Sequence, residues 1–338
     1  MAQREFPLRM VAWELTRNCN LACIHCRASA SKKPHPDELS TAECKKIIDD
    51  IAGFASPTII LTGGEPLLRD DIFEIIEYGN KKGLRLVTAT NGTLLDENKA
   101  KRLKECGTKR VSLSIDGKDE TSHDSFRGVA GSFASVKNAA KVLGVANLPF
   151  QINTTITRLN RQNLKDIYNL TKTIGAVAWH IFLLVPVGRG ERLKGEELNS
   201  AAYEEVLEWL YDIETKNEIE IKVTCAPHYY RIVKERGGTP KSAGCLAGKS
   251  FMFISHLGIA QPCGYLEAAS GDIRREGIRN VWEKSSVFNG LRNLSSYKGK
   301  CGGCRYISIC GGCRARAYEL HGDFLHEEPY CSYREAKE

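Results

Sequence analysis

Val11-Ala-Trp-Glu-Leu-Thr-Arg-Asn-Cys19-Asn-Leu-Ala-Cys23-Ile-His-Cys26 runs from an apolar segment straight into a cysteine-bearing loop. Arg9–Leu15 is rich in apolar residues and reads as a buried strand. The C-x3-C-x2-C spacing of the loop offers three thiolates. A [4Fe–4S] cluster normally takes four cysteine ligands. Three would leave one iron open to a further ligand. A structural zinc site would need a fourth cysteine or histidine nearby. His25 lies between two of the cysteines, but its adjacency to Cys26 makes joint tetrahedral ligation awkward.

Further strand-like runs follow at Pro57–Leu61, Arg85–Thr90, Arg110–Ile115, Phe150–Ile156 and Ala178–Leu184. Amphipathic helical patterns alternate with them at Thr41–Ala52, Asp70–Lys82, Asp96–Glu105, Ser132–Ala146, Asn163–Ile174 and Ser200–Thr215. Asp, Ser or Thr near the starts and Gly83, Gly107 and Gly175 at the stops give cap signals. Six β–α units in a row predict a parallel sheet. Right-handed crossovers would curl it into an α/β fold, a partial (β/α)6 TIM-like barrel. Such folds place their chemistry at the C-terminal ends of the strands. The unusual loops all fall there: the cysteine loop, Gly63-Gly64-Glu65-Pro66, Asn91-Gly92-Thr93 and Asp116-Gly117. From about residue 220 helical periodicity fades while Gly and Cys rise. The expected organisation is a barrel over 1–219 and a Cys-rich extension over 220–338, held together largely by metal.

A chain of 338 residues, 42% hydrophobic and 26% charged, has the composition of a soluble globular protein. No apolar stretch approaches the roughly 20 residues of a membrane span, and the N-terminus has no apolar signal region. The expectation is a cytoplasmic protein without a membrane partner. The net charge of +7 suits an anionic substrate and solubility alike. Basic residues do not gather into one run, so no nucleic acid is expected. Thirteen cysteines in a reducing compartment read as metal ligands before disulfides. Cys44 and Cys106 fall on predicted helices as small core residues, and Cys225 stands apart.

Gly63-Gly64-Glu65-Pro66 closes a buried strand. Two glycines let backbone carbonyls approach a ligand, and Glu65 adds negative charge, together suiting a cationic amine. Taken alone, the loop reads equally well as a Gly-rich turn before a helix. Near the C-terminus come Cys245, Gly258, Cys263, Cys301-Gly-Gly-Cys304, Cys310-Gly-Gly-Cys313 and Cys331. Zinc knuckles need more than the five residues that separate Cys304 from Cys310. Seven thiolates also exceed one zinc site.

The cysteine loop followed by Gly-Gly-Glu-Pro resembles the radical S-adenosylmethionine (SAM) enzymes over residues 9 to about 185. The resemblance implies a [4Fe–4S] cluster on Cys19, Cys23 and Cys26 whose open iron chelates SAM. Reductive cleavage of SAM would then yield a 5′-deoxyadenosyl radical that removes a substrate hydrogen atom. Gly63, Gly64 and Glu65 would bind the SAM amine. Ser114 and Asp116 in Ser112-Leu-Ser-Ile-Asp-Gly117 resemble a motif near the SAM ribose and carboxylate. Arg127 in His123-Asp-Ser-Phe-Arg-Gly128 resembles an arginine near the carboxylate, and Asn91 would face the same cavity. The C-terminal cysteines resemble the SPASM extension, with one or two auxiliary [4Fe–4S] clusters. That pattern implies Cys301, Cys304, Cys310 and Cys331 at an outer cluster and Cys245, Cys263 and Cys313 at an inner one. Two residues rather than three separate Cys310 from Cys313. The inner fourth ligand stays open between Cys225 and a free iron position.

Val11–Arg17, Cys26–Ser29, Phe253–Gly258, Cys310–Tyr318 and Asp323–Cys331 are similar to the haem b synthases of the siroheme-dependent haem pathway. That likeness implies iron-coproporphyrin III as substrate, with two propionates becoming vinyl groups as CO2 leaves. It also implies a low-potential electron donor such as a ferredoxin or flavodoxin. Arg17, Arg27, Arg189, Arg314 and Arg316 are candidates for propionate binding, since arginine pairs with carboxylates through two donors. His256 or His180 would approach the iron. The alternatives are modification of a ribosomal peptide or of a different tetrapyrrole, and a non-catalytic electron carrier, for which a SAM pocket has no use. With only 18 residues before Cys19, no built-in domain for gripping a leader peptide is expected.

Overall fold

Seven short strands lie side by side in chain order: β1 (Met10–Glu14), β2 (Thr58–Thr62), β3 (Arg85–Ala89), β4 (Arg110–Ser114), β5 (Phe150–Ile156), β6 (Ala178–Leu183) and β7 (Glu220–Thr224). All pairings among them are parallel. The computed structural model describes residues 6–242 and 244–335. The crossovers carry α1 (Thr41–Phe54), α2 (Ile72–Lys81), α3 (Glu97–Glu105), α4 (Glu120–Arg127), α5 (Ser132–Val145), α6 (Leu164–Thr173) and α7 (Ser200–Glu214).

Alternate strand residues point to opposite faces, and the two faces differ in chemistry. Val11, Trp13, Ile59, Leu61, Val111, Leu113, Trp179 and Ile181 join Ile47, Ile51, Ile75, Leu103, Val136 and Leu207 of the helices in one apolar core. The opposite face is polar. Glu14 pairs in register with Thr62, and Ser114, Asn153, His180 and Lys222 form one row across four strands. Helix starts are fixed by side chains. The Ser40 hydroxyl accepts from Glu43 N at 3.3 Å, and the Glu43 carboxylate accepts from Ser40 N at 2.9 Å, a capping box. Asp96 and Asn199 cap α3 and α7 in the same sense.

Two elements extend the expected barrel. β7 lies just beyond residue 219; its Ile221 and Val223 are buried while Glu220, Lys222 and Thr224 are not. α4 was not expected from its polar composition, but the Asp119 carboxylate accepts from Ser122 N at 2.8 Å and starts it.

The C-terminal region is built into the same sheet. β8 (Phe251–Ile254) pairs parallel with the free edge of β1. β9 (Ile259–Gln261) and β10 (Gly271–Asp272) follow by antiparallel pairing, completing a ten-stranded sheet. Short helices follow: α8 (Tyr229–Glu235), α9 (Ile273–Glu276), α10 (Ile278–Lys284), α11 (Ser286–Arg292), α12 (Gly299–Gly302) and α13 (Arg314–His321). Ile278, Val281, Trp282 and Phe288 enter the main core, and Trp282 Nε1 donates to Phe6 O at 2.9 Å. A second, smaller core holds Val185, Val187, Leu266, Leu291, Cys313 and Ala315. Among the described residues no helix is long and apolar enough to cross a membrane.

Candidate active site

The cysteine loop leaves β1 and is held by the loop after β2. Gly64 N donates to Thr16 O and Glu65 N to Asn18 O, both at 2.7 Å. A Cβ on Gly64 would lie 2.3 Å from Asn18 O, and one on Gly63 2.5 Å from Thr16 O. The two glycines are therefore required by backbone packing of one loop on the other. Gly64→Ala should push the cysteine loop away and lower iron at this site and SAM cleavage together, with iron on the C-terminal cysteines retained. Iron quantitation beside a SAM-cleavage assay checks this.

Cys19, Cys23 and Cys26 pack together with Leu21 and Ala30. The Cys19 sulfur accepts from Leu21 N at 3.4 Å and Asn91 Nδ2 at 3.9 Å; the Cys23 sulfur accepts from Arg127 Nη1 at 3.7 Å. Burial pushes the Cys19 thiol up to about 11. It raises the Cys23 thiol too, against the pull of Arg127. Iron would displace these protons. Arg189 braces the loop from outside, donating to Cys23 O at 3.0 Å and Ala30 O at 2.5 Å.

The Glu65 carboxylate is fully buried and already engaged. It accepts from Leu67 N at 2.9 Å, Thr90 Oγ1 at 2.8 Å and Asn91 N at 2.7 Å. It ties the β2 loop to the β3 loop, so an amine would meet this loop's backbone instead of that carboxylate. Asn91 bridges loops as well, donating to Asn20 Oδ1 at 2.8 Å. Asp116 Oδ1 accepts from Thr155 N at 2.7 Å, while Oδ2 pairs with Arg127 and lies 3.9 Å from His25 Nε2. Burial would raise the Asp116 carboxyl, but Arg127, then His25 and His123, hold it below the usual range. Burial drives His25 down to about 4 against the pull of Asp116. Ser114 ends β4 half-buried, opposite Asn153.

Sequence reasoning missed a buried triad beside this loop. Glu14 Oε2 accepts from Arg27 Nη2 at 2.8 Å, and Glu14 Oε1 lies 2.7 Å from His256 Nδ1. Arg27 also covers the Phe253 ring at 4.5 Å and donates to Gly264 O at 3.4 Å. A glutamate inside an apolar strand was the available signal. Burial alone would raise the Glu14 carboxyl, but Arg27 and His256 hold it down to about 2. Its folded value lies below the ordinary 4.5, so its stabilisation is complete above about pH 4.5 and lost as pH falls toward 2. Thermal melts should stay level down to about pH 5 and drop below that. Glu14→Gln should melt lower at neutral pH but show a shallower acid drop.

The other arginine and histidine candidates are also placed. Arg314 and Arg316 are fully buried, contrary to any role on an exposed substrate surface. Arg314 Nη1 donates to His326 O at 2.6 Å and Phe324 O at 3.0 Å. Arg316 pairs with Glu328 at 2.9 Å. Arg17 keeps 38% of its side chain exposed beside the cysteine loop. His180 Nδ1 bonds Gln151 at 2.8 Å within the barrel. Cys44 is buried in α1, and Cys106 caps α3, packed against the core.

The C-terminal cysteines fall into two sets. Cys301, Cys304, Cys310 and Cys331 line one cavity of about 240 Å3, together with His228 and Arg231. Cys263 and Cys313 lie in the small apolar core beside Cys225, and Cys245 N donates to Cys310 O at 3.1 Å. Gly311 (φ 68°) and Gly312 (φ 63°) are both left-handed, a conformation glycine adopts freely. That double turn lets Cys310 serve the cavity and Cys313 the core, despite the short spacing. Among the described residues no three His, Cys, Asp or Glu groups close to the spacing of a single ion.

A family model described as the Radical SAM superfamily matches residues 13–174. The fold agrees: Streptococcus suis SuiB bound to S-adenosylmethionine superposes with a TM-score of 0.79 at 18% identity, over 97% of this chain and 78% of that one. The chain belongs to the radical SAM superfamily, within its AdoMet-dependent haem synthase family. It is 49% identical over 339 residues to the AdoMet-dependent heme synthase of Nitratidesulfovibrio vulgaris, over 96% of this chain and 92% of that protein. The Fe-coproporphyrin III synthase of Methanosarcina barkeri is 30% identical, over 95% of this chain and 87% of its own length. The family implies SAM bound on a [4Fe–4S] cluster, and the residues here fit that group. Three thiols converge, and Arg127 Nε and His25 Nδ1 are buried nearby with no hydrogen-bond partner.

Proposed function

We propose that the protein is an oxidative decarboxylase that converts two propionates of iron-coproporphyrin III to vinyl groups, giving haem b. The family relationship and the names of two relatives support a tetrapyrrole substrate. The observation that carries the oxidative part is the closeness of the two cysteine sets. Arg27, next to Cys26 in the chain, donates to the carbonyl of Gly264, next to Cys263, at 3.4 Å.

When bound, the clusters supply the electron chemistry: reductive cleavage of SAM to the 5′-deoxyadenosyl radical, and uptake of the electron released with CO2. A ferredoxin or flavodoxin would supply the low-potential electron. On the substrate, hydrogen loss from the propionate carbon attached to the ring leaves a radical; release of CO2 and one electron then gives the vinyl group. Cys19, Cys23 and Cys26 would hold the first cluster. Gly63, Gly64 and Glu65 would meet SAM through their backbone, with Asn91, Ser114, Asp116 and Arg127 around it. Cys301, Cys304, Cys310 and Cys331 would hold the outer auxiliary cluster, and Cys245, Cys263 and Cys313 would serve the inner. Arg17, the least committed of the candidate arginines, would meet a propionate. Anaerobic turnover with SAM and a reductant, followed by mass spectrometry, should reveal a one-vinyl intermediate and then haem; SAM cleavage beside an unchanged porphyrin would sink the reading.

A further inference from the structure

Cys225 follows directly on the C-terminal end of β7, outside the spacing pattern of the other C-terminal cysteines. Its backbone is left-handed at φ 60°, which non-glycine residues seldom adopt. Cys225 packs, together with Cys263, against the small core that holds Cys313. Cys245 N donates to Cys310 O at 3.1 Å, on the same Cys310–Cys313 turn. Arg316 Nη2 donates to Cys225 O and pairs with Glu328, whose Oε2 accepts from Cys313 N at 2.7 Å. One buried ion pair thus fixes the backbones of Cys225 and Cys313 together. Val185, Val187 and Leu266 close the rest of the site with apolar side chains, leaving little to attract an outside ligand. No disulfide joins these cysteines.

We propose that Cys225 is the fourth thiolate of the inner site, so that the cluster there has no open iron and exchanges electrons without binding substrate. This rests on the reading that the inner set holds a [4Fe–4S] cluster. Each thiol releases its proton to solvent as its iron–sulfur bond forms. The position also has a consequence for placement. As a strand-end residue of β7, Cys225 puts the inner cluster at the same end of the barrel as the SAM site. The Arg27–Gly264 bond at 3.4 Å links the chain beside Cys26 to the chain beside Cys263.

The test uses Cys19→Ala/Cys23→Ala/Cys26→Ala protein, in which iron reports the auxiliary sites alone. Adding Cys225→Ala should remove about four irons per chain, or convert one cluster to a three-iron form visible by EPR in the oxidised state. Adding Cys106→Ala should change neither. Unchanged iron and an unchanged reduced EPR spectrum in the Cys225→Ala protein would overturn the assignment. A second measurement needs no change at Cys225. Cyanide added to the triple variant should leave its EPR and Mössbauer spectra unshifted; a new cyanide-bound iron signal would mean an open site. Absence of auxiliary iron with Cys225 intact would overturn both the cluster reading and this assignment.

Discussion

Cys23→Ala is expected to reduce 5′-deoxyadenosine formation to background. Cys23 is buried, takes a hydrogen bond from Arg127, and its carbonyl is pinned by Arg189. Two remaining thiols cannot hold a four-iron cluster that is already one cysteine short. The whole catalytic enhancement, typically on the order of 10^6-fold or more for enzymes, would go. Iron content should fall by only about four atoms per chain, because the C-terminal thiols occupy separate sites. Full loss of iron would mean instead that the substitution unfolds the protein.

Arg316→Met is the substitution with the largest expected effect on stability. Arg316 and Glu328 are each about 1% exposed and make paired hydrogen bonds at 2.9 and 3.1 Å. Burial would raise the Glu328 carboxyl, but Arg316 holds it down to about 2. Removing one partner of a buried pair leaves an uncompensated charge and costs about 3–5 kcal/mol. That is a large part of the roughly 5–15 kcal/mol that keeps a domain folded. Glu328 N also donates to the Cys301 sulfur at 3.3 Å, so the damage reaches both cysteine sets. The variant should lose auxiliary iron and melt at lower temperature. Arg316→Met combined with Glu328→Leu should recover much of the loss, since an apolar pair removes the stranded charge; no recovery would show that the bond to Cys313 N dominates.

Six strands were legible because their apolar runs were punctuated by glycines and helix caps. β7 and β8 were not: they are only five and four residues long, and both lie beyond residue 219, where the alternation of strands with long helices stops. The unusual loops were found at the correct strand ends, but the roles of their side chains were hidden. Glu65 carries a charge and was read as facing a ligand, whereas its partners, Leu67, Thr90 and Asn91, are close in space and spread in sequence. Arg314 and Arg316 were read as candidates for propionate binding because arginine pairs with carboxylates. Their burial depends on carbonyls and a carboxylate on the last stretch of chain, which no local pattern announces. Cys225 stood apart for the same reason: strand β7 brings it beside Cys313, and sequence spacing does not.

In the proposed reaction a SAM-derived radical takes hydrogen from the propionate carbon attached to the ring. Anaerobic turnover of iron-coproporphyrin III deuterated at those carbons tests it most directly. The expected result is deuterium in 5′-deoxyadenosine and two molecules of CO2 released for each haem formed, one from each of two propionates. Deuterium-free 5′-deoxyadenosine, with the porphyrin recovered intact, would contradict it.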